Sequence, residues 1–133
     1  MAIIVKLPIN SRYVLPRMCV ACGSQSELLT GMVHRYESQA LSRTTFSFPA
    51  CGWCVQFANI PTYSKQWKKL YEPLSPEEKE KAYNASHCVG VKTPFFNIGK
   101  REFYFNNEAY GILFWKLNGG DMSQVSSMQD VKM

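Results

Sequence analysis

At 133 residues the chain has the length of one modest domain. Its 46% hydrophobic and 14% aromatic content is that of a folded chain and excludes a disordered one. Fifteen Lys/Arg against ten Asp/Glu leave a formal charge of +5, and the excess is uneven. Residues 1–71 carry +6 and residues 72–133 carry −1, which leaves open a solvated basic face or an anionic partner such as nucleic acid.

In chain order, residues 2–7 read as a short strand ended by Pro8. Residues 10–16 are connecting chain that delivers the first cysteine pair, Cys19-Val-Ala-Cys22-Gly23, with Pro16 restricting the approach. Residues 28–37 and 43–48 read as two strands joined by 38–42. In the second, Thr44, Phe46 and Phe48 alternate with Thr45 and Ser47, the period of a half-buried strand. A hairpin between two cysteine pairs brings both pairs to its base.

The second pair, Cys51-Gly-Trp-Cys54, opens a helix over 51–58 that stops near Pro61. The positive end of the helix dipole there favours thiolate. A second helix over 63–71 sets Trp67, Leu70 and Tyr71 opposite Lys65, Lys68 and Lys69. A third starts at Ser75 as N-cap, with Pro76 and then Glu77 and Glu78 in the first turn, and runs to about Ala85 with few apolar residues. Strands at 88–92 and 102–105 flank a turn containing Asn97-Ile98-Gly99. Asn106 or Asn107 then caps a helix whose Ala109, Ile112, Leu113 and residues 115–117 are expected to face inward, ending at Asn118-Gly119-Gly120. The expected fold class is α+β: a Cys₄ zinc-knuckle β-hairpin module followed by helices and a C-terminal β-β-α element. Residues 1–120 form one zinc-stapled domain with its metal module at 16–60, and 121–133 form a flexible or partner-bound tail.

No apolar stretch approaches the roughly 18 residues of a membrane span. The opening Met1-Ala-Ile-Ile-Val-Lys-Leu-Pro8 lacks the basic and apolar regions of a secretory signal, so a cytoplasmic location is expected. Thiols stay reduced there, and paired cysteines mean metal more often than disulfide. A two-residue gap lets both sulfurs of a pair bind one ion from a single turn, and Gly23 supplies the positive φ that turn wants. Cys19, Cys22, Cys51 and Cys54 therefore make a closed tetrahedral site for a structural Zn²⁺ with no open position for chemistry. Four thiolates around Zn²⁺ add −2 locally, so part of the basic excess neutralises the site. Iron in the same cage, as in rubredoxin, is sterically possible with a similar spacer, though the chain lacks the second Cys-x-x-Cys-Gly knuckle, and an Fe–S cluster is compatible with four thiolates.

The fifth cysteine, Cys88, reads as a small buried apolar residue. As strand neighbours, His87 and Cys88 point to opposite faces and cannot pair. His34 could replace a cysteine as ligand, which a complete Cys₄ set makes unnecessary. With no Ser/His/Asp pattern, Gly-rich phosphate loop or acidic metal cluster, the chain does not read as an enzyme.

Pro16-Arg-Met-Cys19-Val-Ala-Cys22-Gly23 followed by Phe48-Pro49-Ala50-Cys51-Gly-Trp-Cys54 resembles the zinc-ribbon and treble-clef group. It is also similar to small bacterial proteins of unassigned function with a Pro-x-x-Cys-x-x-Cys-Gly knuckle and a Pro-x-Cys segment. Some of those end in a Phe-x-Asn-x-x-Tyr-x-x-x-Phe helix, which Phe105, Asn107, Tyr110 and Phe114 echo. The 28-residue spacer is longer than in a compact zinc ribbon, and no glycine follows Cys54. The group uses its metal structurally, so the resemblance implies a scaffold.

The resulting expectation is a non-enzymatic, zinc-binding accessory or adaptor subunit that presents a metal-stapled surface to a protein partner. One alternative is nucleic-acid binding through Lys65, Lys68 and Lys69 with Tyr63, Trp53 and Trp67, as single-strand binders mix basic and aromatic groups. Another is a thioredoxin-like redox site at Cys51 and Cys54, faced by Thr93-Pro94 and Phe95-Phe96. That reading leaves Cys19 and Cys22 without a role, and a CxxC carries redox meaning only in a βαβ context.

Overall fold

Among the described residues, five strands and four helices follow the chain as β1 (Ile3–Pro8), β2 (Leu29–Tyr36), β3 (Thr45–Cys51), α1 (Gly52–Ala58), α2 (Lys65–Tyr71), α3 (Pro76–Ser86), β4 (Val89–Lys92), β5 (Lys100–Phe105) and α4 (Glu108–Leu117). The computed structural model describes residues 2–9, 12–24, 29–36, 45–92 and 99–119. The expected loop at 38–42, the Thr93-Pro94 segment, Asn97 and the tail at 121–133 lie outside them.

The strands make two antiparallel sheets, so the α+β class holds. In one, β5 is central between β1 and β4, with Phe103 opposite both Val5 and Val91. Alternation sends Ile3, Val5, Leu7, Val89, Val91, Phe103 and Phe105 to one face, where all are buried. The other sheet is the β2–β3 hairpin, whose Val33, Phe48 and Ala50 turn inward. Phe48 meets Phe105 edge to face at 5.8 Å and Phe114 at 6.5 Å, so aromatic contacts join hairpin, sheet and α4 in one core.

Strand β3 runs past Phe48 through Pro49 and Ala50 to Cys51. Proline is tolerated because the hairpin has only two strands, so one side of β3 needs no N–H for a ladder. The Pro49 carbonyl instead accepts from Val20 N–H at 2.9 Å. Helix α2 begins at Lys65 because Ser64 caps it, its Oγ accepting from Trp67 N–H at 3.2 Å. Helix α3 carries a full capping box: Ser75 Oγ accepts from Glu78 N–H, and the Glu78 carboxylate accepts from Ser75 N–H at 3.0 Å. Only Ala82 and Ala85 of α3 are buried, and the helix packs on α1.

Helix α4 keeps Trp115 inward as expected, with Ile112 half-buried, and corrects the rest of the expected face. Its buried residues are Tyr110, Gly111, Phe114 and Trp115, whereas Ala109, Leu113 and Leu117 are exposed. Apolar residues lie on both sides of this helix, so composition alone could not orient it. Packing does: α4 approaches β1 so closely that a Cβ on Gly111 would lie 2.5 Å from Ile3 Cδ1. Only the glycine side of the helix can come that near.

Candidate metal centre

The first cysteine pair is held in a tight turn by its own backbone. Cys19 N–H donates to the Ser24 carbonyl, and Gly23 N–H donates to the Cys19 carbonyl, both at 2.9 Å. Gly23 takes φ +81°, a conformation that other residues adopt with strain. This geometry aims Cys22 N–H at Cys19 Sγ, 3.5 Å away. An N–H directed at sulfur favours the thiolate.

The second pair straddles an element boundary. Cys51 is the last residue of β3 and the N-cap of α1, and Cys54 lies in the first turn of that helix. The bond from Val20 N–H to the Pro49 carbonyl sets the first turn against the end of β3. The hairpin therefore brings the pairs together at its base, with Leu29 opposite Cys51 where β2 begins.

All four sulfurs lie within 4.8 Å of one another. Cys22 Sγ and Cys51 Sγ are 3.8 Å apart, and a tetrahedron with Zn–S bonds of about 2.3 Å has edges of ~3.8 Å. Cys19, Cys51 and Cys54 are buried, and Cys22 is half-buried. The donor set and its compactness thus fit one thiophilic ion, and the geometry alone does not select which.

Electrostatics bear on the same point. Four thiols packed this closely cannot all ionise, so the cluster shares its protons. Cys19 is held below the ordinary thiol range, first by the hydrogen bond from the Cys54 thiol and then, against burial, by backbone groups around it. Cys54 is pushed up by that same bond, by burial and by neighbouring negative charge. Burial is the main cause raising Cys51. At the start of α1, the proton that Cys54 shares with Cys19 and the burial of Cys51 outweigh the expected help from the helix end. A bound dication reverses this balance, because it replaces the shared protons with charge at the centre.

Two side chains of the surroundings were not tied to the site by the sequence: Ser24 drew no notice, and Asn107 was read only as a helix cap. Ser24 Oγ lies 2.9 Å from Cys22 Sγ. Asn107, far along the chain, donates to the Ala21 carbonyl at 3.4 Å. With Glu77, Glu80, Lys81 and Asn84 of α3, Asn107 borders a shallow cleft of about 340 Å³ at Cys22 and Cys54.

The other candidates lie apart from this cluster. His34 is exposed, its Nδ1 paired with Ser47 Oγ at 2.7 Å. Cys88 is fully buried just before β4, while His87 is the exposed C-cap of α3, so the two do not pair. Lys65, Lys68 and Lys69 are exposed on α2. The aromatics expected to accompany them are largely taken up by packing. Trp67 is buried and stacked on Tyr71 at 4.6 Å, and Trp53 lies on Phe57 with the Lys81 ammonium 4.6 Å from its ring centre. Only Tyr63 of that set is open to solvent, at 82% exposure.

No protein-family model, curated protein or solved structure matches this chain. No helix among the described residues is long and apolar enough to cross a membrane.

Proposed function

We infer that this chain is a zinc-stapled scaffold, in which Cys19, Cys22, Cys51 and Cys54 hold one structural Zn²⁺ and the stabilised surface serves a protein partner without catalysis. The observation that carries the metal assignment is the convergence of four thiols from a turn, a strand end and a helix start within 4.8 Å. All four donors are sulfur, which suits Zn²⁺ and leaves no ligand position for substrate. When bound, the ion supplies cross-linking and charge neutralisation, and the chain's residues orient the sulfurs and exclude water from three of them.

Support for a partner comes from α4. The exposed Ala109, Leu113 and Leu117 repeat every four residues, one stripe along the outer face of the helix. Val14, 55% exposed, is tied to the end of the stripe by paired hydrogen bonds with Asn118. An apolar stripe on a surface helix is a form that partner proteins engage. The test is elemental analysis of purified protein, for which one zinc per chain is expected, combined with co-purification of wild type and Leu113→Glu. Loss of the partner with zinc retained supports the scaffold reading. Iron absorption, or a folded protein that takes up no metal, overturns the zinc assignment.

The nucleic-acid alternative keeps Lys65, Lys68 and Lys69 as an exposed basic group, but with Tyr63 as the one open aromatic beside them. The thioredoxin alternative is weakened by the company of Cys51 and Cys54, since Cys19 and Cys22 share their site.

A further inference from the structure

The outer face of the three-stranded sheet shares no residue with the cysteine cluster, and its make-up does not depend on a metal. Alternation buries Val5, Phe103 and Val91 on the inner face, so their strand neighbours are left on the other. Register sets these in two rows across β1, β5 and β4: Ile4, Tyr104 and Gly90 in one, Lys6, Glu102 and Lys92 in the next. Where this face meets the end of β2, Arg35 and Tyr36 complete a groove of about 370 Å³ beside Gly90 and Tyr104. That volume lies within the range of ligand sites, roughly 300–1,000 Å³.

Three observations on this groove point to one kind of occupant. Tyr36 and Tyr104 are 68% and 39% exposed, and among the described residues neither ring packs on another ring or a cation and neither hydroxyl is bonded. Their apolar faces are open to a flat partner. Gly90 lies inside β4, where a glycine weakens a strand and marks the close approach of a ligand or another backbone. No backbone approaches it among the described residues: a Cβ there would meet only Tyr104 Cβ, at 3.8 Å. The space beside the Tyr104 ring is therefore open. Charge is the third observation. The Lys6 and Lys92 ammonium groups share the Glu102 carboxylate, at 3.9 and 3.7 Å. Arg35 donates to the carbonyls of His34, Ser86 and Val89, which hold its side chain without neutralising it. Three cations thus face one carboxylate. Exposed lysine pairs at such distances are weak, so both ammonium groups can turn to a stronger anion. Rings for stacking beside cations for phosphate, on an open sheet face, are the means by which single strands are bound.

We propose that this sheet face binds single-stranded nucleic acid, one base stacked on Tyr104 over Gly90 and the flanking phosphates on Lys6 and Lys92. Fluorescence anisotropy on the full chain as purified tests this with a labelled oligouridine of twelve residues, and with uridine monophosphate and heparin as competitors. Binding at one site per chain is expected, falling about sevenfold between 50 and 200 mM salt if two phosphates are neutralised. Tyr104→Ala should weaken it at least about fivefold, while Tyr104→Phe, which keeps the ring, binds as wild type. Joint replacement of Lys6 and Lys92 by Ala should flatten the salt dependence. Gly90→Ile fills the open space beside the ring with a residue that strands favour, and should block the oligomer without lowering the melting temperature. Several results overturn the proposal: no binding, heparin competing as well as unlabelled oligomer, uridine monophosphate binding as tightly as the strand, or undiminished binding by Tyr104→Ala or a folded Gly90→Ile. So does an equal loss on replacing Lys65, Lys68 and Lys69 by Ala, which would move the strand to α2.

Discussion

Asn107 and Ala21 link the C-terminal helix to the cysteine turn: Asn107 Nδ2 donates to the Ala21 carbonyl at 3.4 Å, while its Oδ1 caps α4 by accepting from Tyr110 N–H at 2.9 Å. One amide thus registers α4 against the turn that holds Cys19 and Cys22. Asn107→Ala should destabilise the fold by about 1–2 kcal/mol, most of it from the lost cap. Asp retains the capping oxygen but not the donor, so Asn107→Asp should recover most of the stability. Thermal melts of both variants check this, and two wild-type melts would refute it.

Metal affinity should rise steeply with pH. Cys51 and Cys54 hold their protons above the ordinary thiol range, and those protons leave when a cation binds. Displacing these two alone makes affinity climb at least about a hundredfold per pH unit. Acidification therefore releases metal. Competition against a chromophoric chelator between pH 6 and 8 measures the slope, and a flat profile would contradict the shared-thiol site. Replacing any one of the four cysteines by Ser should lower metal content and stability by at least about 3 kcal/mol, roughly 10 °C.

Cys88 should behave as a bystander for metal and as a stability group in alkali. Burial pushes its thiol up to about 11 from 9.0, with Arg35 opposing. A raised folded-state value means that the stabilisation is complete below about pH 9 and is lost as pH rises through 11. The loss is about 2–3 kcal/mol. Denaturant melts at pH 8 and 11 should show a smaller alkaline loss for Cys88→Ala than for wild type, with metal content the same in both proteins.

Tyr110 is fully buried, and its hydroxyl has no hydrogen-bond partner among the described residues. Leaving a polar group dry costs about 1–3 kcal/mol. Tyr110→Phe removes that group and keeps the ring, so stability should hold or rise by about 1 kcal/mol. A clear drop in melting temperature would mean that the hydroxyl is satisfied in solution.

Gly111→Ala sets two effects against each other. Alanine favours the helix by about 1 kcal/mol, but its Cβ would lie 2.5 Å from Ile3 Cδ1 and 2.7 Å from Cγ1, with Ile3 fully buried. Overpacking should win, for a net loss of about 1–3 kcal/mol. Ile3→Val removes the clashing Cδ1, so the double variant should be more stable than additivity allows.

Much of the local structure was legible because its causes are local. Ser75, Pro76 and Glu78 write the start of α3 within four residues, and the alternation around Phe46 and Phe48 marks a strand. Two Cys-x-x-Cys pairs flanking a hairpin pattern foretold that four sulfurs would meet, since hairpin closure has one outcome for its ends. The inward face of α4 was partly misread because Leu113 and Leu117 are as apolar as Tyr110 and Phe114. Hydrophobicity ranks residues but does not say which neighbour is already covered.

By itself, then, the sequence determined the order of the elements, the cap of α3 and the thiol cluster, all set by short-range spacing and backbone chemistry. Tertiary structure alone decided that β5 lies between β1 and β4, that α4 turns Gly111 toward Ile3 and leaves Leu113 and Leu117 outside, and that Arg101 is buried at an aromatic cavity. Those outcomes depend on which distant surfaces exclude water together. That is a property of the packed whole, and no window of residues contains it.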